Sequence, residues 1–185
     1  MASDAELIGC SLAGDDDAFV ELVRRHAPAV SAYLVRRAGR GHAEDLLGEV
    51  WVAAFVSRAS YDQTFPEARP WLFGIARNTL RAHWRTRADV QLNPEMPVLL
   101  DPWPEVDERI DGMAALRRAI RDLPPDEREI VLLVAWEQLS VAEAARTLGI
   151  PAGTARYRLH RARLALRAAP DLLKTLTEPN AVKEA

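Results

Sequence analysis

LSVAEAARTLGIPAGTARYRLHRARLALR, residues 139–167, reads as two helices joined by a tight turn. Ser140 and Glu143 stand three apart ahead of an apolar run, the spacing of a reciprocal cap at a helix start. Ala145 is small where two helices cross, and Gly149 supplies the turn. In the helix that follows, Ala155, Leu159, Ala162 and Leu166 recur every three or four residues and fall on one side. Arg156, Tyr157, His160 and Arg161 then face outward, with Thr154 at the head of the helix and Arg158 and Arg163 on its flanks. This is a helix-turn-helix, and its outer face suits a DNA major groove. Arginine reads guanine through a bidentate contact worth roughly 1–3 kcal/mol, while flanking arginines set register on phosphates. A purely structural helical hairpin is the plainer alternative.

Upstream, Ile110, Met113, Leu116, Ile120 and Leu123 form one stripe that Pro124-Pro125 closes. A further helix begins near Asp126, carries Ile130, Val131, Leu133 and Val134, and ends near Gln138. The last helix stops before Pro170, and residues 171–185 hold a short apolar element and a polar tail expected to fray. Before all of this lies ADVQLNPEMPVLLDPWPEVDERID, residues 88–111, with prolines at 94, 97, 102 and 104 and no sustained apolar period. That composition predicts an extended linker between two lobes.

In the first lobe, Asp15, Asp16 and Asp17 lead into Phe19, Leu22, Val23, Val30, Tyr33 and Leu34, an amphipathic helix with an acidic start and with Pro28 placed to bend it. A second helix is expected from about Ala43 to Ser57. Leu46, Val50, Ala53 and Ala54 share one side of it, and Asp45, Gly48, Glu49 and Val52 share another that is free for a partner. The loop SYDQTFPEARP then precedes a helix from Trp71 to about Arg87. Its core side is read as Leu72, Ile75, Ala76, Thr79 and His83; its outer side collects Gly74, Arg77, Asn78, Arg81, Trp84 and Arg85. Arginines neutralise phosphates, an asparagine can bond a base edge, and an indole offers a stacking platform to an unpaired base. A solvated arginine row, with Trp84 covering the edge of the core, is the competing reading of that helix. Strand signals are weak throughout, so the fold class is all-α: two small helical domains joined by an acidic, Pro-rich linker.

Net charge is −3, which alone argues against a nucleic-acid partner, but the charges are segregated. Trp71–Arg87 holds four arginines and no acid, and Ser140–Ala169 holds six arginines against Glu143 alone. Between them Asp89–Asp111 holds seven acids against Arg109. Two basic islands flank an acidic spacer. Apolar residues make up 49% of the chain, enough for packed cores, yet no run approaches the roughly 20 residues of a membrane span. The start, MASDAELIGC, lacks the features of a signal peptide, which points to the cytoplasm and to no membrane insertion. Cys10 is the sole cysteine, and His26, His42, His83 and His160 are scattered, reading as surface or packing residues; no metal and no cofactor are expected.

AEDLLGEVWVAAF (43–55), RPWLFGIARNTLRAHWR (69–85), LPPDEREIVLL (123–133) and GTARYRLHRARLALR (153–167) together resemble the extracytoplasmic-function sigma factors, two-domain members of the bacterial sigma family. The resemblance spans nearly the whole chain, and the motifs keep the family's order and spacing. It implies sigma domain two over residues 1–90, a linker over 91–111, sigma domain four over 112–170 and a tail over 171–185. It further implies core RNA polymerase and promoter DNA as partners, with an anti-sigma protein that masks these faces. Asp45, Glu49 and Val52 are assigned to the polymerase clamp; Gly48 departs from the family's usual glutamine. The loop from Tyr61 to Arg69 and the helix after it are assigned to opening the minus-ten element, through Arg69, Trp71, Arg77, Asn78, Arg81, Trp84 and Arg85. Thr154, Arg156, Tyr157, Arg158, His160 and Arg161 are assigned to the minus-thirty-five element. Tyr157 stands where a serine is commoner, and Pro151 replaces a serine that usually caps the recognition helix; a proline is compatible with a first helical position. The resemblance also suggests that the acidic linker enters the RNA-exit path of the polymerase.

Two alternatives stand beside this reading. A stand-alone helix-turn-helix regulator needs only the second lobe and binds duplex DNA unaided. An enzyme needs a nucleophile with a partner, and Cys10 has no neighbouring histidine; no phosphate-cradling glycine loop is present either, so the chain is read as no enzyme.

Overall fold

The computed structural model describes residues 2–90 and 111–169, with side-chain surroundings for 2–86 and 115–169. Every regular element in that range is helical: α1 (Asp4–Leu12), α2 (Asp16–Ala38), α3 (Arg40–Ser57), α4 (Arg69–Val90), α5 (Asp111–Asp122), α6 (Pro125–Ala135), α7 (Val141–Leu148) and α8 (Ala152–Arg167), with a 3-10 turn at Arg58–Ser60. The chain forms two compact units, one built on α1–α4 and the other on α5, α6 and α8. No helix among the described residues is long and apolar enough to cross a membrane.

α1 is an element the sequence reading did not assign. Its signal is a capping box: the Glu6 carboxylate accepts from the Ser3 amide at 2.6 Å, and the Ser3 hydroxyl accepts from the Glu6 amide at 3.2 Å. The helix buries Leu7, Ile8 and Ser11. Asp15 caps α2 through the Ala18 amide. As expected, Phe19, Leu22, Val30, Tyr33 and Leu34 are buried, while Val23 is half-buried. The helix continues through the exposed Pro28 as a single element. Gly39, at φ +74°, lets α2 end and α3 start with no residue to spare. α3 therefore opens at Arg40, earlier than Ala43, and buries Leu46, Val50 and Ala54.

The stripe expected on α4 is rotated. Leu72 and Ala76 are buried, but so are Phe73 and Leu80, and Ile75, Thr79 and His83 are only half-buried. Tyr33 stacks on Phe73 with ring centroids 5.2 Å apart, and this large contact sets which side of α4 turns inward. α4 also begins two residues before Trp71, with Pro70 in the first turn, where its missing amide costs nothing.

In the second unit, Ala115, Ile120 and Leu123 are buried and Leu116 is half-buried; Ile110 and the side chain of Met113 lie outside the described residues. α6 starts at Pro125 and stops at Ala135 rather than near Gln138. Gln138 adopts φ +55°, and the Leu139 amide turns back to the Leu133 carbonyl at 3.1 Å. Arg128 joins α5 to α6: its guanidinium donates to the carbonyls of Ile120 at 3.2 Å and Leu123 at 2.8 Å, and to that of Arg121. It thereby satisfies the end of α5 that would otherwise carry open acceptors. The capping box of α7 forms as read, Ser140 amide to Glu143 carboxylate at 2.7 Å and Glu143 amide to Ser140 hydroxyl at 3.2 Å. Gly149 takes φ +66° in the turn, and Ala155, Leu159 and Ala162 are buried beneath α8 with Leu166 half-buried. Pro151 is the N-cap and not the first helical residue; with no cap side chain it contributes its carbonyl, which accepts from the Ala155 amide at 3.1 Å. Asp89 belongs to α4 and Asp111 opens α5; residues 91–110, which make up nearly all of the expected linker, lie outside the described residues, as do residues 170–185.

Candidate nucleic-acid interfaces

The segment between α3 and α4 is a closed turn. Asp62 accepts from both the amide of Thr64 at 3.0 Å and its hydroxyl at 2.7 Å, which hold the carboxyl below its ordinary range. The Phe65 amide returns to the Asp62 carbonyl at 3.1 Å. The buried Tyr61 donates its hydroxyl to the Phe65 carbonyl at 2.6 Å, and burial, reinforced by the charge of Asp4, pushes this phenol up to about 12. The Trp71 ring lies 5.2 Å from that of Tyr61. At its far end the turn is fastened to α1: the Asp4 amide donates to the Pro66 carbonyl at 3.0 Å, and the Asp4 carboxylate accepts from the Ala68 amide at 2.8 Å.

Beyond the turn, α4 presents Asn78, Arg81 and Arg85 to solvent. The other four residues assigned to this surface are half-buried. Arg69 sits over the Phe73 ring at 5.3 Å. Trp71 packs on Tyr61. Trp84 is not the free indole expected: it meets His42 and His83 edge-on, at 6.3 and 5.1 Å. A cavity of about 400 Å³ opens beside the turn, lined by Ser3, Asp4, Arg25, His26, Pro66, Glu67 and Arg69. Asp4, Arg25 and His26 were missed in the sequence because α1 was missed.

On α3, Asp45, Gly48, Glu49 and Val52 are all exposed on one face. Phe55 and Val56 continue it toward the end of the helix, with Val56 74% exposed, and Val20 of α2 is 61% exposed. These apolar side chains had no role in the sequence reading; their signal was the i, i+3, i+4 spacing of Val52, Phe55 and Val56 on the side away from Leu46 and Val50.

On α8, Arg156, Tyr157, His160, Arg161 and Arg163 are exposed, and Thr154 and Arg158 are half-buried. Two arginines are held by acids of α6: Arg158 pairs with Asp126 at 2.7 Å, and the Nε of Arg161 pairs with Glu127 at 3.2 Å. A hydrogen bond with Tyr157 and the charge of Glu127 raise the Arg161 pKa, so this side chain is a fixed cation. Arg161 is nonetheless exposed, so its guanidinium is reachable from outside the unit. Cys10 is exposed and free. Among the described residues no three His, Cys, Asp or Glu side chains gather as metal ligands.

The family models Sigma-70 region 2 and Sigma-70, region 4 match residues 22–90 and 113–166. RNA polymerase sigma factor CarQ of Myxococcus xanthus is 36% identical over 155 residues, 80% of this chain and 86% of that protein. ECF RNA polymerase sigma factor SigF of Caulobacter vibrioides is 34% identical over 162 residues, 84% of this chain and 87% of its own length. Among solved structures, CnrH in complex with the cytosolic domain of CnrY has a TM-score of 0.63 at 26% identity, covering 95% of this chain and 99% of that one. Two helical units, one matching each sigma region, define a transcription initiation factor of the sigma-70 class. The chain belongs to the ECF RNA polymerase sigma factors, alternative sigma factors that direct transcription initiation.

Proposed function

We propose that residues 1–90 act as sigma domain two and residues 112–170 as sigma domain four, with 91–111 as the linker and 171–185 as a tail. In this reading the α3 face of Asp45, Glu49 and Val52 docks on the clamp of core RNA polymerase, and Phe55 and Val56 extend that contact. The turn Tyr61–Ala68 and the exposed Asn78, Arg81 and Arg85 receive the non-template strand of the minus-ten element, with Arg69, Trp71, Arg77 and Trp84 packed at the foot of the same surface. Unpairing costs a few kcal/mol, which stacking at roughly 1–3 kcal/mol per base and phosphate contacts offset. Thr154, Arg156, Tyr157, Arg158, His160 and Arg161 read the minus-thirty-five duplex. The observation that carries this is the pair of exposed arginine-bearing helix faces, one on each unit.

The work is binding and needs no chemistry by this chain, so the protein acts as no enzyme and takes no cofactor; its place of action is the cytoplasm. An anti-sigma protein covers the α3 or DNA faces, a role supported by CnrH having been solved with a second polypeptide, the cytosolic domain of CnrY. Band-shift assays test the central point. Duplex promoter DNA should be retained tightly only when core polymerase is present, and tight binding by the chain alone would refute it.

A further inference from the structure

Asp4 is an aspartate at the start of α1, 3% exposed, in contact with two other parts of its unit, α2 and the turn before α4. One carboxylate oxygen accepts from the Ala68 amide at 2.8 Å and faces the Nε2 of His26 at 2.7 Å; the other accepts from Arg25 at 2.6 Å. Its own amide donates to Pro66 at 3.0 Å. Burial alone raises a carboxyl, yet these partners hold this one below its ordinary value, so it is ionised and His26 presents its ring N–H. A single residue thus holds two backbone groups of the turn, at Pro66 and Ala68, immediately before α4. It also forms one wall of the cavity beside that turn. A capping role for α1 would need none of this, since Ser3 and Glu6 already cap that helix.

We propose that Asp4 is a positioning residue for promoter opening: from α1 it fixes the turn Tyr61–Ala68 in the shape that receives the unpaired strand. This rests on the reading that the turn and α4 engage the minus-ten element. Asp4 touches no DNA in this account; it acts through the backbone at Pro66 and Ala68, with His26 and Arg25 orienting its carboxylate. The arrangement explains why a buried charge is kept at a helix start where an apolar residue would pack more cheaply.

The test uses holoenzyme formed from the full chain and core RNA polymerase, on promoters carrying each base in turn at the minus-ten and minus-thirty-five positions. Asp4→Ala should bind core polymerase within about twofold of the parent, lower open-complex formation about tenfold or more, and level the preference among minus-ten bases. Its response to minus-thirty-five substitutions should stay parental. Asp4→Asn should recover most of the preference, because its amide oxygen can still accept from Ala68 and His26. An Asp4→Ala holoenzyme with the parental minus-ten preference would overturn the proposal, as would equal damage at both promoter elements. Asn78→Ala is run in parallel: if it too leaves the minus-ten preference intact, the underlying reading fails, whereas if it alone alters that preference, only the role of Asp4 falls. Should Asp4→Ala not fold, hydrogen exchange in the wild-type chain decides: a protected Ala68 amide supports the anchor, and exchange at the rate of an exposed turn overturns it.

Discussion

The exposed arginine-bearing surfaces of α4 and α8 share a residue type and differ in how they are held. On α8 the arginines stand above a thin buried stripe, Ala155 and Ala162 flanking Leu159, and two of them, Arg158 and Arg161, are steadied by the exposed Asp126 and the buried Glu127 of α6. On α4 the corresponding surface grows out of a hydrogen-bonded turn fastened to α1, and Arg69, Trp71, Arg77 and Trp84 are half-buried at its foot. A duplex reader needs a rigid rod with replaceable side chains. A strand-opening surface needs its backbone held still. Substitution should therefore cost the second unit specificity and the first unit stability.

The largest effect separating the two is expected at Asp4. Asp4→Ala leaves His26 and the Ala68 amide without this acceptor and takes one of several from Arg25, and should destabilise the first unit by about 3 kcal/mol in denaturant titrations. The sign with pH follows from the carboxyl being held below 3.8. Its contribution is complete above the unfolded value and drains as pH falls through the lower folded one, so the acid limb of the wild-type stability curve should lie below about pH 4 and should be flattened in Asp4→Asn. Removing the corresponding tie of the second unit should cost less: Arg128→Ala frees three carbonyls at the end of α5, but they lie near solvent, and about 2 kcal/mol is expected from the thermal midpoint of that unit. Smallest is Gly48→Ala on the exposed face of α3. A Cβ there meets nothing within 4 Å, so the change should stabilise the first unit by about 0.5–1 kcal/mol through helix propensity alone.

Much of the architecture was legible because helix starts and apolar periods are local. Ser140 and Glu143 announced α7, Gly149 announced the turn, and the alanine and leucine spacing of α8 gave its buried side. α1 carried the same kind of signal in Ser3 and Glu6, but with only nine residues and an acid at its first position it was assigned no element. The inward side of α4 was misjudged because Phe73 lies off the ideal stripe and is drawn in by Tyr33, a partner forty residues away. The choice between the two readings of Trp84 was open for a related reason: His42, which it meets, comes from the preceding helix. The arginine faces could be found from periodicity, whereas the Asp4 node could not. Its partners lie 21, 22 and 64 residues downstream, and nothing in a local pattern links them.

The most direct test of the account is run-off transcription with core RNA polymerase and the charge reversals Arg81→Glu and Arg161→Glu, made singly and together. Arg81 is exposed, so Arg81→Glu should fold with a stability within about 0.5 kcal/mol of the parent; Arg161→Glu gives up the pair with Glu127 and sets a like charge beside it, so its folded fraction is matched to the parent by thermal melting before transcription is read. Arg81→Glu should abolish opening while minus-thirty-five dependence survives in polymerase binding to promoter DNA. Arg161→Glu should remove that dependence, and the double variant should be silent. Full initiation by the double variant would contradict the claim that these two helix faces engage separate stretches of one promoter.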